Sequence, residues 1–238
     1  MKNSMPELVR PEFSVKDASL LLEEHYGLCC TLKEFPGERD RNFLAQEKNG
    51  ETYVLKISNS CETLEFLQVQ HAALERSSKL LEPGRIPIVF PAKNGESLLR
   101  VSSADGSQHW MRLVRYVDGL PMAEYRPHTG EFLRELGRMC GTVTKALHEI
   151  PAPPPSHTLL WEMHNVQETL HEYMPWIKDE KLLCWVKKSL DLYSRTIEPL
   201  ESKLRRGWIH NDFNDYNVLA VPKISGNPDL GLIDFGDM

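Results

Sequence analysis

The run His210-Asn211-Asp212-Phe213-Asn214-Asp215-Tyr216-Asn217 has the pattern H-x-D-x-x-x-x-N, and an apolar run soon after it ends in Asp234-Phe235-Gly236-Asp237. These residue types at this spacing suit phosphoryl transfer. The transition state of that reaction is loose and rich in charge, so a protein mainly positions and neutralises. Asp212 can accept the proton of an attacking hydroxyl, and its first duty would be orientation. Asn217 offers a neutral carbonyl oxygen and Asp234 a carboxylate. Both are hard ligands of the kind Mg²⁺ takes when phosphates and water supply the rest.

The elements around these residues must bring the two polar clusters together. Residues 207–209 read as a short strand entering the loop and 217–221 as a strand leaving it. A turn at 226–229 and a return strand at 230–233 follow, so both clusters should meet at one end of a small hairpin. The plain alternative is an Asp/Asn-rich loop beside a chance D-F-G. The joint occurrence of both motifs at this distance favours the chemical reading.

Composition narrows the possibilities. A chain of 238 residues, 41% hydrophobic and 26% charged, can bury a core in one domain or two lobes. A net charge of -6 argues against a nucleic-acid binder that works through a broad basic surface. Five cysteines, an odd number without metal-type spacing, suit reduced thiols in the cytoplasm. The N-terminus carries no apolar signal core, and no apolar run is long enough to span a bilayer, so no membrane partner is expected.

In chain order, residues 1–10 read as a loose leader. Ser14 caps a helix, with Asp17 as its capping-box partner, Val15, Ala18, Leu21 and Leu22 as the apolar stripe and Gly27 as the stop. Strands are predicted at 30–35, 42–47 and 51–58, the last two joined at Asn49-Gly50. A helix at about 61–79 follows, then strands at 97–103 and 109–117. Together these make a five-stranded antiparallel sheet with one inserted helix. Asp118-Gly119-Leu120-Pro121 reads as a linker. Beyond it a helix from Thr129 presents Phe132, Leu133, Leu136, Met139, Cys140, Val143 and Leu147 at helical spacing. A proline-rich connector at 151–155 leads to helices at about 162–173 and 180–204. The expected division is an N-terminal nucleotide-binding lobe, 1–117, and a catalytic lobe, 118–238.

Lys56, in Val54-Leu55-Lys56 on the third strand, matches the strand lysine that contacts α- and β-phosphates. Such a lysine is normally held by an acid on the next helix. Glu62, Glu65 and Glu75 are available, and Glu65 is the expected partner; Gln68 and His71 can also face Lys56. The turn 37–43 occupies the place of a phosphate-covering loop but holds one glycine, and its Arg39 and Arg41 read as solvated. The backbone of Arg115, Tyr116 and Val117 is the expected contact for a purine base. Asp237 has the chemistry to bind metal or a substrate amine, and equally to hydrogen-bond within its own loop.

These residues resemble the protein-kinase-like phosphotransferases that act on small molecules, among them aminoglycoside phosphotransferases, choline kinases and homoserine kinases. H-N-D-F-N-D-Y-N-V-L followed by I-D-F-G-D-M resembles the hydroxylysine kinase branch in particular. R-N-F, Y-V-L-K-I-S and R-L-V-R-Y-V-D-G-L-P-M-A-E strengthen the match. The resemblance covers nearly the whole chain. It implies an α+β, two-lobed protein-kinase-like fold with Asp212 as catalytic base, Asn217 and Asp234 as Mg²⁺ ligands and Lys56 on the phosphates. It also implies GTP or ATP as donor and a small hydroxylated amine, foremost 5-hydroxy-L-lysine, as acceptor. The alternatives are another hydroxylated amine (an aminoglycoside, choline or homoserine) or a pseudokinase that only binds nucleotide. Members of this group continue past D-F-G-D into a helical region, so the resemblance implies a truncated C-terminal lobe ending at Met238. Donor base and oligomeric state are left open.

Overall fold

A computed structural model describes residues 10–35, 37, 39–153, 162–223 and 228–238. Most of the leader expected at 1–10, part of the proline-rich connector and the first half of the turn expected at 226–229 lie outside the described residues. Contacts divide the chain into two compact units: Met1–Ile150 with Ile209–Gly236 and Met238, and Pro151–Trp208 with Asp237.

The first unit begins with helix α1, Val15–Tyr26. Its start is fixed by a reciprocal capping box: Asp17 N–H donates to Ser14 Oγ at 3.2 Å, and Ser14 N–H donates to Asp17 Oδ2 at 2.8 Å. It ends where Gly27 turns left-handed at φ 72°. Strands β1 (Cys30–Phe35), β2 (Arg41–Glu47) and β3 (Thr52–Ile57) then form an antiparallel meander. Helix α2, Leu64–Leu80, is capped by Thr63. After it come β4 (Val89–Phe90), β5 (Leu99–Ser102) and β6 (Gln108–Arg115).

Strand β6 pairs with β3 along one edge. Its other edge is shared, β5 taking the first half and β4 the second. The expected five-lane sheet is therefore present, with its last lane split between two strands. β4 was not expected because its apolar run, Ile86 to Phe90, is broken by Pro87 and closed by Pro91, neither of which can donate to a ladder.

Period-two alternation sorts this sheet into two faces. Phe43, Ala45, Leu55, Ile57, Met111 and Leu113 face the core and pack with Ala18, Leu22 and Tyr26 of α1. A large side chain buried this way contributes roughly 1.5–3 kcal/mol. The intervening residues line up across the strands. Phe35 pairs with Asn42, Asn42 with Lys56, and Lys56 with Arg112.

Residues 118–121, expected as a linker, instead supply β7, Leu120–Pro121. It pairs with β8 (Val218–Val221), which pairs in turn with β9 (Asp229–Leu232). Gly119 is required for this approach, since a Cβ there would lie 3.0 Å from Leu219 Cβ and 3.1 Å from Ala220 O. The position between residues 117 and 118 thus falls inside the first unit.

Helix α3, Gly130–Leu147, packs on α2 and β9. Phe132, Met139, Val143, Ala146 and Leu147 are buried, but Leu133 is half exposed and Cys140 exposed. The buried stripe is narrower than expected because α3 meets its neighbours along one side only.

The second unit contains α4 (Val166–Tyr173) and α5 (Glu180–Thr196), with 3₁₀ turns at Met163–Asn165, Met174–Trp176 and Glu198–Lys203. Asp179 caps α5, its Oδ1 accepting from Leu182 N–H at 3.0 Å. The strand expected at 207–209 does not form. Among the described residues no neighbouring strand offers a ladder to 207–209, and Trp208 instead donates its indole N–H to Pro151 O at 2.6 Å. Among the described residues no helix is long and apolar enough to cross a membrane.

Candidate active site

The loop Ile209 to Asn217 is shaped by its own polar side chains. Asn211 adopts φ 61°, a left-handed value that asparagine tolerates better than most residues. The next amide, Asp212 N–H, closes onto His210 O at 2.8 Å. Asn214 Oδ1 accepts from the backbone N–H groups of Tyr216 and Asn217 at 2.8 and 3.0 Å, which turns the chain into β8.

The same asparagine holds the candidate catalytic carboxylate. Asn214 Nδ2 donates to Asp212 Oδ1 at 2.8 Å, and Asn217 Nδ2 donates to Asp212 Oδ2 at 2.8 Å and to Asp212 O at 3.0 Å. Asp212 is therefore oriented from both oxygens. Both amide hydrogens of Asn217 are consumed, which leaves its Oδ1 available to a hard cation.

The D-F-G-D segment is tied to this loop. His210 is buried, and its Nε2 lies 3.0 Å from Ile233 O; a carbonyl only accepts, so Nε2 carries the proton. Its ring sits edge-on to Phe213 and Phe235, with centroids 5.5 and 4.7 Å away. Ile233 N–H donates to Asn217 O at 2.9 Å. The next residue, Asp234, takes φ 61°, which swings its carboxylate off the strand direction.

Lys56 meets Asp234 there, Nζ to Oδ1 at 3.5 Å. The ammonium beside it holds the Asp234 carboxyl below the ordinary carboxylate range, and this outweighs the upward push of burial. Asp234 is thus ionised at neutral pH and its side chain is 54% exposed, so the carboxylate is open to a cation from the cleft. Among the described residues no group of three or more His, Cys, Asp or Glu is placed to hold a metal ion. A metal at Asn217 and Asp234 would take its other oxygens from phosphate and water, as Mg²⁺ commonly does.

Lys56, Asn217 and Asp234 share one cleft of about 420 Å³. Its walls are largely apolar: Phe35, Val54 and Val114 come from the six-stranded sheet, Leu219 from β8 and Ile233 from the D-F-G-D segment. Arg115, Tyr116 and Val117 line it too. The amides of Arg115 and Tyr116 are occupied by Ile88 O at 2.8 Å and Thr52 O at 3.0 Å. The Val117 amide makes no hydrogen bond among the described residues, so it is free to donate to a flat heteroaromatic ring held between the walls. The Arg115 guanidinium pairs with Glu51.

Other expectations are revised. Glu65 stands exposed in the first turn of α2 and does not pair with Lys56, whose carboxylate partner is Asp234. The α2 residues buried against the unit are Leu67, Gln70, Ala73, Leu74 and Ser77, and Glu65 is off that face. Gln68 is likewise exposed. Arg41 is not a solvated turn residue, since it donates to Phe13 O at 3.1 Å and pairs with Glu34 at 3.2 Å. Arg39 reaches the D-F-G-D turn, its Nη2 lying 3.7 Å from where a Cβ on Gly236 would stand. Asp237 follows in that turn and groups with the second unit. Sequence reasoning missed the His210 tie, the double role of Asn214, and a buried pair, Arg112 and Gln70, joined at 2.5 Å.

An antiparallel sheet with one inserted helix, set over a hairpin that carries H-x-D-x-x-x-x-N and D-F-G-D, defines the protein-kinase-like class of fold. The chain belongs to the phosphotransferase enzyme family, which matches residues 31–238. A hydroxylysine kinase of Danio rerio is 25% identical over 247 residues, covering 96% of this chain and 66% of that protein. The chain thus spans just under two thirds of that relative's length. Among solved structures, a microcompartment-associated aminopropanol kinase matches with a TM-score of 0.69 at 19% identity, covering 94% of this chain and 70% of that one. An amicoumacin kinase in complex with AMP-PNP and Ca²⁺ matches with a TM-score of 0.67 at 12% identity, covering 94% and 64%. At these identities the likeness is one of fold.

Proposed function

We propose that this protein transfers the γ-phosphoryl group of GTP or ATP to the hydroxyl of a small amino-alcohol or amino acid, with 5-hydroxy-L-lysine as the leading acceptor. The observation that carries this reading is the convergence of Lys56, Asn217 and Asp234 on one apolar cleft, with Asp212 held against Asn217. Asp212 orients the acceptor hydroxyl and accepts its proton. Asn217 Oδ1 and Asp234 would hold Mg²⁺, whose charge would offset that of the phosphates. Lys56 neutralises the α- and β-phosphates. The base lies between the apolar walls and accepts from Val117 N–H. The relatedness to a hydroxylysine kinase supports an acceptor that carries both an amine and a hydroxyl. All five cysteines are free thiols, which supports a cytoplasmic setting.

The test is a product assay. Purified protein is given Mg²⁺, GTP or ATP, and in turn 5-hydroxylysine, 1-amino-2-propanol, choline, homoserine and an aminoglycoside, and phosphorylated product is identified by mass spectrometry. Transfer to 5-hydroxylysine in preference to the others is expected. Asp212→Ala should abolish turnover while nucleotide binding survives. Undiminished turnover in that variant would refute the assignment. Nucleotide binding without transfer to any acceptor would favour the pseudokinase alternative.

A further inference from the structure

Arg112 is a cation the proposed chemistry has not used. It is 5% exposed and sits on β6 directly opposite Lys56 on β3. Its Nη2 donates to Gln70 Oε1 at 2.5 Å, while Nε and Nη1 find no acceptor among the described residues. Gln70 itself is buried on α2. The carboxylates that act on the guanidinium are those of Asp40, Glu62 and Asp234. Of these, Asp234 lines the cleft and is already paired with Lys56.

Fold stability explains this arrangement poorly. A buried guanidinium carries a large desolvation cost, and an apolar side chain of similar volume would usually serve the core as well or better. Like charges directly opposite each other on neighbouring strands are unfavourable besides. The repulsion does have a direction. Arg112 is fixed by burial and by Gln70, whereas Lys56 has a flexible stem reaching into the cleft. The mobile ammonium is therefore pushed away from α2 and toward the phosphate position.

Resting on the nucleotide site proposed above, we propose that Arg112 is a positioning residue of that site. It is a buried cation that keeps Lys56 forward on the phosphates by like-charge repulsion, where an α2 carboxylate would otherwise hold it by attraction. Its bond to Gln70 fixes α2 to the sheet at the same point.

Gln70→Glu separates this role from plain packing. The substitution keeps size and an acceptor for Nη2 but neutralises Arg112 by pairing it. Titration calorimetry with Mg²⁺ and a non-hydrolysable ATP or GTP analogue gives the affinity, and a thermal melt gives the fold. Gln70→Glu should melt at or above the wild-type temperature yet bind nucleotide about tenfold more weakly, the scale on which outer-shell partners act. Arg112→Met should lose a similar factor, and Arg112→Lys, which keeps the charge, should lose less. A Gln70→Glu protein that folds and binds as tightly as wild type overturns the proposal, and it decides the matter even if Arg112→Met fails to fold. Wild-type protein that binds no nucleotide would instead overturn the site reading beneath it.

Discussion

His71 should make the stability of the first unit depend on pH in a window that can be calculated. It lies on α2, its Nε2 has no partner among the described residues, and its pKa falls from 6.5 to about 4. Burial is the larger cause and the positive charge of Arg112 the second. In the unfolded chain His71 takes up a proton as pH drops through 6.5, while the folded protein resists until about 4. Between these values the unfolded state binds more protons, so stability falls as pH falls; below about 4 the loss is complete and constant. At about 1.4 kcal/mol per unit the full shift would be worth about 3 kcal/mol. The ring is not wholly buried, and solvent screening trims this to roughly 2 kcal/mol, or some 4–8 °C in Tm for a protein of this size. The assay is a set of thermal melts from pH 7.5 to 4.5 on wild type and His71→Gln. The difference between the two curves cancels the carboxylates, including Glu62, whose pKa is raised by burial and therefore acts with the opposite sign. Wild type should lose roughly 2 kcal/mol more than the variant across the window. Parallel curves, or a wild type that gains on acidification relative to the variant, would refute the burial of a neutral His71 beside Arg112.

Asp234→Asn should remove the partner of Lys56 and a metal ligand together, weakening Mg²⁺-nucleotide binding by tenfold or more. Asp212→Asn should leave binding within a few-fold and lower kcat; calorimetry and steady-state rates on the same samples separate the two. His210→Phe should cost about 1–3 kcal/mol by leaving Ile233 O without its donor, seen as a drop in Tm. Gly231→Ala should destabilise by about 1–3 kcal/mol, since the added Cβ would stand 3.0 Å from Val117 Cγ1 and 3.2 Å from Arg85 O. Urea titration measures that loss, and an unchanged midpoint would show that β9 can shift away from Val117.

The parts of the site that could be read from sequence are those whose residue types are demanded twice, once by local backbone and once by chemistry. Asn217 both accepts from Ile233 N–H on its carbonyl and grips Asp212 through its side-chain amide. Asp234 is a ligand type that also tolerates φ 61°. Such residues keep their spacing because the loop has little freedom to place them otherwise. Helix α1 and strands β1 to β3 were legible for a similar reason: caps, a hairpin dipeptide and alternation all act within a few residues. The linker at 118–121 and the strand at 207–209 were misread because strand formation there depends on a partner far away in sequence. Leu120 and Pro121 find Ala220 and Leu219, whereas among the described residues no strand lies alongside 207–209.

The partner of Lys56 belongs to neither category. Choosing Glu65 assumed that an acid near the start of α2 would turn toward the lysine. Which α2 residue faces β6 is decided by how the helix docks, and docking follows the stripe Leu67, Gln70, Leu74 and Ser77 at spacings of three and four. Glu65 and Gln68 fall outside that stripe, and Gln70 falls within it. A long polar side chain in the middle of an apolar stripe must find a buried partner or cost stability. Arg112, alternating with Met111 and Leu113 on the most buried strand of the sheet, is the matching anomaly on the other side. Each was visible alone as a polar residue at a core position. Read as a pair, they would have put a cation, not a carboxylate, between α2 and Lys56, and Asp234 would have been left as the charge that Lys56 must find.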